Sequence, residues 1–335
     1  MLFYDFFGND SIKRQLADPE FKNRLPHAMI IEGKNGSGKH SLAKAIALSA
    51  NCSHTPPCLE CPICKKLLAD ESPDFITVGL TEGRASLGVD SVRFVRSDVY
   101  ITPNDNLFKI YVIESADKLT SEAQNAFLKV LEEPPEYAVF ILLCESADSL
   151  LVTVRSRARI LKTEVFGSTA LKNYLRENYA DRSGSDDGIE LAAMLSGGTV
   201  GGALEYLKPE NAARAIEVYR QCLEFVELTV KRSPASKLYA YLYGLGLSRE
   251  ETAIFFERLA LAFRDGIALT LAVEPERLFF INEQDAERLS SSCTVSFLLD
   301  ATALCSKYRE TLDTNAALQT VLPAFASEIK KLRGR

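Results

Sequence analysis

The sequence has no long apolar run and no excess of positive charge. The longest uninterrupted apolar run in its 335 residues, Ala138–Cys144, is far shorter than the roughly 18 to 20 residues that a membrane-spanning helix needs. The first residues lack the basic segment that opens a secretory signal peptide. The formal net charge of -6 repels phosphate backbones and acidic lipids, which argues against a stand-alone nucleic-acid coat. These absences predict a cytoplasmic protein that does not bind membranes.

The composition is that of a folded chain with more than one domain. Hydrophobic residues make up 47% and charged residues 25% of the sequence, which excludes a disordered or low-complexity protein. The length allows two or three domains at roughly 100 to 200 residues each. The 8 cysteines are interpreted as thiols or metal ligands before disulfides. Four of them lie in apolar stretches and are predicted core residues: Cys144, Cys222, Cys293 and Cys305.

The first half of the chain alternates strand-like and helical segments, whereas the second half is helical. Apolar residues follow one another in the central strand candidates, as expected of strands buried on both faces of a parallel sheet. The predicted strands are His27–Glu32, Phe75–Val78, Phe108–Glu114, Ala138–Cys144 and Arg159–Glu164. A helix is predicted at Ser121–Glu133, between the N-cap Thr120 and Pro134. Apolar side chains then recur at three- and four-residue steps, so the predicted fold class is α/β followed by all-α.

A glycine-rich segment after the first predicted strand matches the phosphate-loop pattern G-x-x-x-x-G-K. Gly33, Gly36 and Gly38 let backbone N–H groups converge on a phosphate, and Lys39 would reach the β and γ phosphates. Such loops place Ser or Thr after the lysine to ligate magnesium, but this chain has His40 there. The segment predicts a phosphate-loop fold with an incomplete magnesium site.

The end of the third predicted strand is also incomplete. Two acidic residues at this place hold magnesium and orient the attacking water in phosphate-loop ATPases. Glu114 can serve the metal, but the next residue is Ser115, whose hydroxyl cannot act as the general base that a carboxylate would be. The spacing of Asp117 favours a role in the next segment instead.

A cysteine cluster follows the phosphate-loop helix. Cys52, Cys58, Cys61 and Cys64 offer four thiolates, which is enough for a closed tetrahedral zinc site. His54 is the alternative to Cys52 as fourth ligand, and chance clustering of unligated thiols is the competing interpretation. Because no coordination position stays open, the zinc is expected to be structural rather than catalytic.

The order of these motifs resembles the AAA+ clamp-loader subunits of bacterial DNA polymerase III, and within that family the delta-prime type. The segments that carry the resemblance are the phosphate loop, the cysteine cluster and residues 25–28, 88–93, 113–118, 125–135 and 154–158. The resemblance is strong over roughly residues 5 to 165. A short match at Asn315–Leu318 is weak.

The resemblance implies three domains. A RecA-like AAA+ phosphate-loop domain would span 1–165 with a zinc knuckle at 52–64, a small helical lid would span 166–208, and a helical collar would span 209–335. It also implies a non-motor subunit in a heteropentamer with gamma/tau-type motor subunits and a delta-type subunit. That complex places the sliding clamp on primed DNA, and this chain would be a non-catalytic part of the DNA polymerase holoenzyme.

One arginine is implied to act on a neighbouring subunit. Residues 156–158 read Ser-Arg-Ala where the family carries Ser-Arg-Cys, and the resemblance implies that Arg157 reaches into a neighbour's ATP site. A guanidinium keeps its proton and can bridge two phosphate oxygens. The competing interpretation is an exposed basic strand edge, since Arg155, Arg157, Arg159 and Lys162 alternate along the chain.

Further positions bear on ATP hydrolysis. Motor subunits carry a lid arginine that touches the γ-phosphate, and by alignment that position falls on Gly201. The polar sensor after the fourth strand falls at Cys144 or Glu145, where a carboxylate would repel a triphosphate. Together with His40 and Ser115, these positions predict that the chain does not hydrolyse ATP, although the loop can still hold ATP or ADP passively.

Two other function classes stay open. One is an ATP-hydrolysing, gamma/tau-like motor subunit of the same family, which His40 and Ser115 argue against. The other is an unrelated phosphate-loop kinase or zinc-bearing nucleic-acid binder, for which the long helical second half has no use. Arg84, Arg93 and Arg96 are interpreted as a solvated face, so no sequence-specific DNA contact is predicted.

Overall fold

The chain divides into two compact units. The structure, a computed structural model, describes residues 7–80, 86–179, 186–271, 279–280, 283–312, 314 and 316–333, so Arg84 and Asn315 lie outside it. The first unit comprises Met1–Phe166 with Thr199–Gly201, and the second comprises Gly167–Gly198 and Gly202–Arg335. The separate lid and collar that the sequence predicts within the second half stay a prediction.

A parallel sheet forms the centre of the first unit. Its strands, within the described residues, are β1 Ala28–Glu32, β2 Phe75–Val78, β3 Lys109–Ile113, β4 Ala138–Cys144 and β5 Arg159–Lys162. They lie in the order β2-β3-β4-β1-β5, and each neighbouring pair is parallel. Every residue of β3 and β4 is buried, as the uninterrupted apolar runs of these segments predict.

Helices cover both faces of this sheet. They are α1 Asp10–Leu16, α2 Lys39–Asn51, α3 Pro62–Leu68, α4 Val89–Asp98, α5 Ser121–Glu132 and α6 Val152–Arg155. Because successive strand residues point to opposite faces, Tyr111 of β3 packs in one apolar cluster with residues of α4 and α5. Its neighbours Ile110 and Val112 pack in a second cluster with residues of α1, α2 and α3.

Four predicted elements are slightly longer than the observed ones. Strand β1 begins at Ala28 rather than His27, and β3 lacks the predicted Phe108 and Glu114. Helix α5 begins at Ser121 after the N-cap Thr120, as predicted, but it ends at Glu132. Glu133 leaves the helical region at φ -133° and ψ 63°, because a residue that precedes a proline is disfavoured in the helical conformation. Strand β5 ends at Lys162, and the predicted extension to Glu164 is wrong.

The described residues of the second unit form helices. After β5 the helices of the chain are α7 Ser168–Tyr179, α8 Asp186–Leu195, α9 Val200–Tyr206, α10 Pro209–Val230, α11 Ala235–Gly244, α12 Arg249–Thr270, α13 Glu283–Ser292, α14 Val295–Leu312 and α15 Leu318–Arg333. Helices α12 and α14 pack along each other. Phe225, Phe256 and Phe325 are fully buried in the core of this unit. The predicted class, α/β followed by all-α, is confirmed.

Local hydrogen bonds fix the start of α12. The Ser248 side chain accepts from the Glu251 backbone N–H, and the Glu251 carboxylate accepts from the Ser248 N–H, which is a complete capping box. Arg249 donates to the backbone oxygens of Leu312 and Ala316, so it holds the turn between α14 and α15. Within the described residues no single helix has the length and apolar composition to span a membrane, although residues 284–292 and 295–312, bent by 108°, pass that test as a pair.

Candidate functional site

The glycine-rich loop connects β1 to α2, which is the place that the sequence predicts. Gly36 has φ 76° and Gly38, the N-cap of α2, has φ 85°, and other residues rarely adopt this left-handed conformation. The Gly33 N–H donates to the backbone oxygen of Cys144 at 3.1 Å, which ties the start of the loop to β4. The loop therefore sits at the carboxyl end of two central strands.

Gly33 is required by packing inside the protein. A Cβ on Gly33 would lie 1.8 Å from Thr163 Oγ1. That hydroxyl forms a hydrogen bond of 2.8 Å with Ser37 Oγ, and both side chains are buried. Sequence reasoning missed Thr163, because it assigned this residue to the last strand and gave it no partner.

Lys39 lies across the loop. Its Nζ donates to the backbone oxygens of Gly33 at 2.6 Å and Lys34 at 3.0 Å. Burial lowers the pKa of Lys39, while the charges of Glu145 and Asp117 oppose this effect. Asp117 is therefore close enough to act on the loop electrostatically, although it lies in the turn after β3.

His40 faces the acidic end of β3. Its Nε2 lies 3.5 Å from Oε1 of Glu114, and the two side chains are 43% and 42% exposed. Ser115, the next residue, has φ 50° and begins a short turn. The structure thus places His40, the departure in the loop, against Glu114, the acidic residue that precedes Ser115.

Glu145 and Gly201, the two other positions that bear on hydrolysis, both contact the loop. Glu145 Oε1 accepts a hydrogen bond of 2.6 Å from Asn35 Nδ2. The Gly201 N–H donates to the backbone oxygen of Gly36 at 2.9 Å, and a Cβ on Gly201 would lie 2.8 Å from Gly36 Cα. The sequence indicates only that an arginine is missing at Gly201, whereas the structure shows that no side chain fits there unless the loop moves.

The four clustered cysteines converge at the far end of α2. Their Sγ atoms all lie within 4.8 Å of one another, and those of Cys52 and Cys58 are 3.6 Å apart. A tetrahedral zinc site with a Zn–S distance of about 2.3 Å needs sulfur atoms about 3.8 Å apart. All 8 cysteines are free thiols. Cys52 Sγ belongs to the cluster, and His54 Nδ1 lies 3.9 Å from it. The four thiols can therefore hold a metal ion.

Backbone N–H groups around the cysteine cluster stabilise the negative charge of a thiolate. The Cys61 side chain is the N-cap of α3 and accepts from the Cys64 N–H, and Pro62 occupies the first helical position. Backbone hydrogen bonds of Glu60 and Cys61 lower the pKa of the Cys58 thiol to about 6, whereas burial raises the pKa of Cys64. Thiolate is the form that binds metals, so the knuckle favours it at Cys58 before an ion arrives.

Arg157 lies in the turn between α6 and β5. Its Nη2 is 2.9 Å from Oε1 of Glu132, its Nη1 donates to the Thr153 oxygen at 3.1 Å, and its side chain is 37% exposed. Sequence reasoning missed Glu132 as its partner, although two acidic residues at the end of α5 were a signal. The neighbouring cations also have acceptors, which are Asp148 for Arg155, Gln15 for Arg159 and Glu32 for Lys162.

The strand order β2-β3-β4-β1-β5, the glycine-rich loop after β1 and the helices on both faces define a RecA-like AAA+ phosphate-loop domain. Residues 8–166 match the family model described as "DNA polymerase III, delta subunit". These residues are therefore similar to the clamp-loader family of DNA polymerase III. The match leaves the particular type of subunit open.

Curated relatives match between half and two thirds of the chain. DNA polymerase III subunit tau of Bacillus subtilis is 31% identical over 210 residues, which are 61% of this chain and 37% of that protein. Subunit tau/gamma of Haemophilus influenzae is 34% identical over 176 residues, which are 52% of this chain and 25% of that protein. The chain thus spans about a third of the length of these relatives.

Solved structures that align with this chain have lower sequence identity than the curated relatives. A DNA polymerase III gamma subunit-related protein from Thermotoga maritima aligns with a TM-score of 0.46 and 17% identity, over 97% of this chain and 99% of that chain. The clamp loader delta protein of Bacillus subtilis aligns with a TM-score of 0.35 and 11% identity, over 96% and 99%. Similarity at this level carries no argument about function.

Proposed function

We propose that the chain is a non-motor, delta-prime-type subunit of a DNA polymerase III clamp loader. The observation that carries the proposal is the incomplete hydrolytic set, with Ser115 in place of a general base and Gly201 packed so closely on Gly36 that no lid arginine fits. A subunit of this kind acts through its partners. It would assemble in the cytoplasm with gamma/tau-type and delta-type subunits as a heteropentamer that places the sliding clamp on primed DNA.

Arg157 supplies the proposed catalytic contribution, in the ATP site of a neighbouring subunit. Glu132 and the Thr153 oxygen hold the guanidinium, and the side chain is 37% exposed. A positive charge that is placed but still accessible can stabilise the negative charge that develops during phosphoryl transfer. We do not assign the same role to Arg155 or Arg159, because the resemblance places the acting arginine at the middle residue of Ser156–Ala158, which is Arg157.

The test is the ATPase rate of the complex reconstituted with its partner subunits, clamp and primed DNA. Arg157→Ala should lower the stimulated rate on the order of 10³-fold while the complex still assembles, because the neighbour loses a charge in its transition state. Arg157→Lys should recover only a small part of the rate, since an ammonium cannot form the two-pronged contact. Arg159→Ala is the matched control and should leave the rate unchanged. An unchanged rate in Arg157→Ala would remove the proposed finger.

The cysteine cluster is proposed to hold a structural zinc ion. Cys52, Cys58, Cys61 and Cys64 occupy all four tetrahedral positions, so no position stays open for a substrate or a water molecule. Metal analysis of protein purified without chelators should give about one zinc per chain. A content far below that would contradict the assignment.

A motor-type subunit is the second candidate, and the relatives favour it. The curated proteins that match are named tau and gamma subunits. In that case the purified chain should hydrolyse ATP by itself, and Lys39→Ala should abolish the activity. The first proposal expects no turnover above background from the isolated chain.

A further inference from the structure

The two groups that would share a magnesium ion contact each other directly. In a phosphate loop the residue after the lysine and an acidic residue at the end of a neighbouring strand both bind the metal. Here these residues are His40 and Glu114, with Nε2 and Oε1 at 3.5 Å. The imidazole therefore lies where the metal would have to approach the carboxylate.

This arrangement does not fit magnesium. Mg²⁺ requires oxygen ligands in nearly octahedral geometry, whereas an imidazole nitrogen suits zinc, copper or nickel. The other carboxylate oxygen of Glu114 lies beside Gly79, where a Cβ would be 3.0 Å from it. The carboxylate thus lies between Gly79, which follows β2, and the imidazole of His40.

The absence of magnesium would also favour a diphosphate over a triphosphate in the loop. Magnesium brings two positive charges that offset those of a polyphosphate, and here Lys39 and the loop backbone would act without it. Glu145 lies at the edge of the loop in a hydrogen bond with Asn35, and Asp117 acts on Lys39. A third phosphate would add negative charge near these carboxylates with no metal to neutralise it. A diphosphate is therefore a better ligand than a triphosphate.

We propose that His40 and Glu114 keep magnesium out of the phosphate loop, so that the loop binds a nucleoside diphosphate without a metal ion. The proposal rests on the passive nucleotide binding of the proposed non-motor subunit. It deepens that function, because a nucleotide held in this way would not follow the magnesium-dependent hydrolysis cycle of the motor subunits.

The probe is a fluorescent ADP analogue, titrated by anisotropy against the full chain. The titration is made once in metal-depleted buffer and once with excess magnesium chloride, without any free chelator that would strip the cysteine cluster. The affinity of the unsubstituted chain should change less than about twofold with magnesium, and ATP should compete more weakly than ADP in metal-depleted buffer. In His40→Thr, which restores a hydroxyl ligand and frees Glu114, magnesium should strengthen binding by about tenfold or more.

Two variants separate the loop from other effects. His27→Thr removes an exposed histidine outside the loop and should behave as the unsubstituted chain, whereas Lys39→Met should lose binding under both conditions. Four results would each overturn the proposal: no ADP binding, about tenfold tighter binding with magnesium in the unsubstituted chain, tighter binding of ATP than ADP without metal, or no magnesium response in His40→Thr. None of them affects the Arg157 proposal, which is measured on the ATPase of the partner subunits.

Discussion

The two ends of helix α2 differ in what they retain. At its start, the loop keeps Lys39 and the glycines but has His40 where the magnesium ligand belongs. At its end, Cys52 is the C-cap residue, and the four thiols of the knuckle have the spacing that a tetrahedral ion requires. Helix α2 thus begins at a loop that lacks one expected magnesium ligand and ends at a cluster that offers four metal ligands.

The residues that the loop keeps have packing contacts, whereas the residue types that it lacks are those expected to take part in ATP hydrolysis. Gly33 and Gly201 are fixed by close contacts with Thr163 and Gly36, so these residues serve packing whether or not a phosphate binds. Two of the clustered cysteines, Cys52 and Cys64, are likewise buried in the apolar cluster that contains α2. At the end of β3, by contrast, Ser115 stands where the sequence analysis expects the general base of an ATPase.

The largest effect on stability is expected at the cysteine cluster, at the end of α2. Cys64→Ser should lower the zinc content to a small fraction of one per chain and cost about 3 kcal/mol or more in the free energy of unfolding, because binding energy of a structural zinc is folding energy. Metal analysis and thermal unfolding measure the two effects. Cys293→Ser replaces a buried cysteine outside the cluster and should keep the zinc. If both variants keep it, the knuckle is not a metal site and the contrast between the two ends fails.

An intermediate effect is expected where Gly201 packs on the loop. Gly201→Ala should lower the free energy of unfolding by about 1 to 3 kcal/mol, since its Cβ would meet the Gly36 backbone at 2.8 Å. Gly244→Ala is the matched control in a helix, with no atom within 4 Å of the added Cβ. It should raise the free energy of unfolding by up to about 1 kcal/mol through helix propensity. Similar stabilisation by both changes would show that Gly201 does not pack against the loop.

The smallest effect on stability is expected at His40. Its contact with Glu114 joins two side chains that are each about two-fifths exposed, and such pairs contribute little. His40→Thr should therefore change the free energy of unfolding by less than about 0.5 kcal/mol, as measured by denaturant titration. A loss of several kcal/mol would mean that the pair of His40 and Glu114 stabilises the fold. The loop would then contribute to stability, as the cysteine cluster is expected to do.

The sequence predicts the elements well where one physical signal dominates. The continuous apolar run of Ala138–Cys144 predicts β4 with its observed bounds, and Thr120 marks the start of α5. The end of β5 was wrong, because the pairing of Thr163 with Ser37 depends on a segment far away in the chain. Spacing alone cannot reveal such contacts, since they form only when the sheet brings distant loops together.

The candidate site shows the same limit. The residue types at His40, Ser115 and Gly201 indicate from sequence that the magnesium, general-base and lid positions are incomplete. That His40 faces Glu114, and that Gly201 packs on the loop backbone, are consequences of strand order and helix placement. The partner of Arg157 was missed for the same reason, because Glu132 lies in α5, 25 residues earlier in the chain.

The position of β1 in the sheet has a consequence for synthesis. In sequence, β1 precedes both of its neighbours, β4 on one side and β5 on the other. One edge of its backbone therefore stays unpaired until β4 has been made and the other edge until β5 has been made, and contacts of such long sequence separation form slowly. The nascent chain exposes an apolar strand during this interval, so we expect folding of the first unit to be the step most sensitive to translation speed and to chaperones.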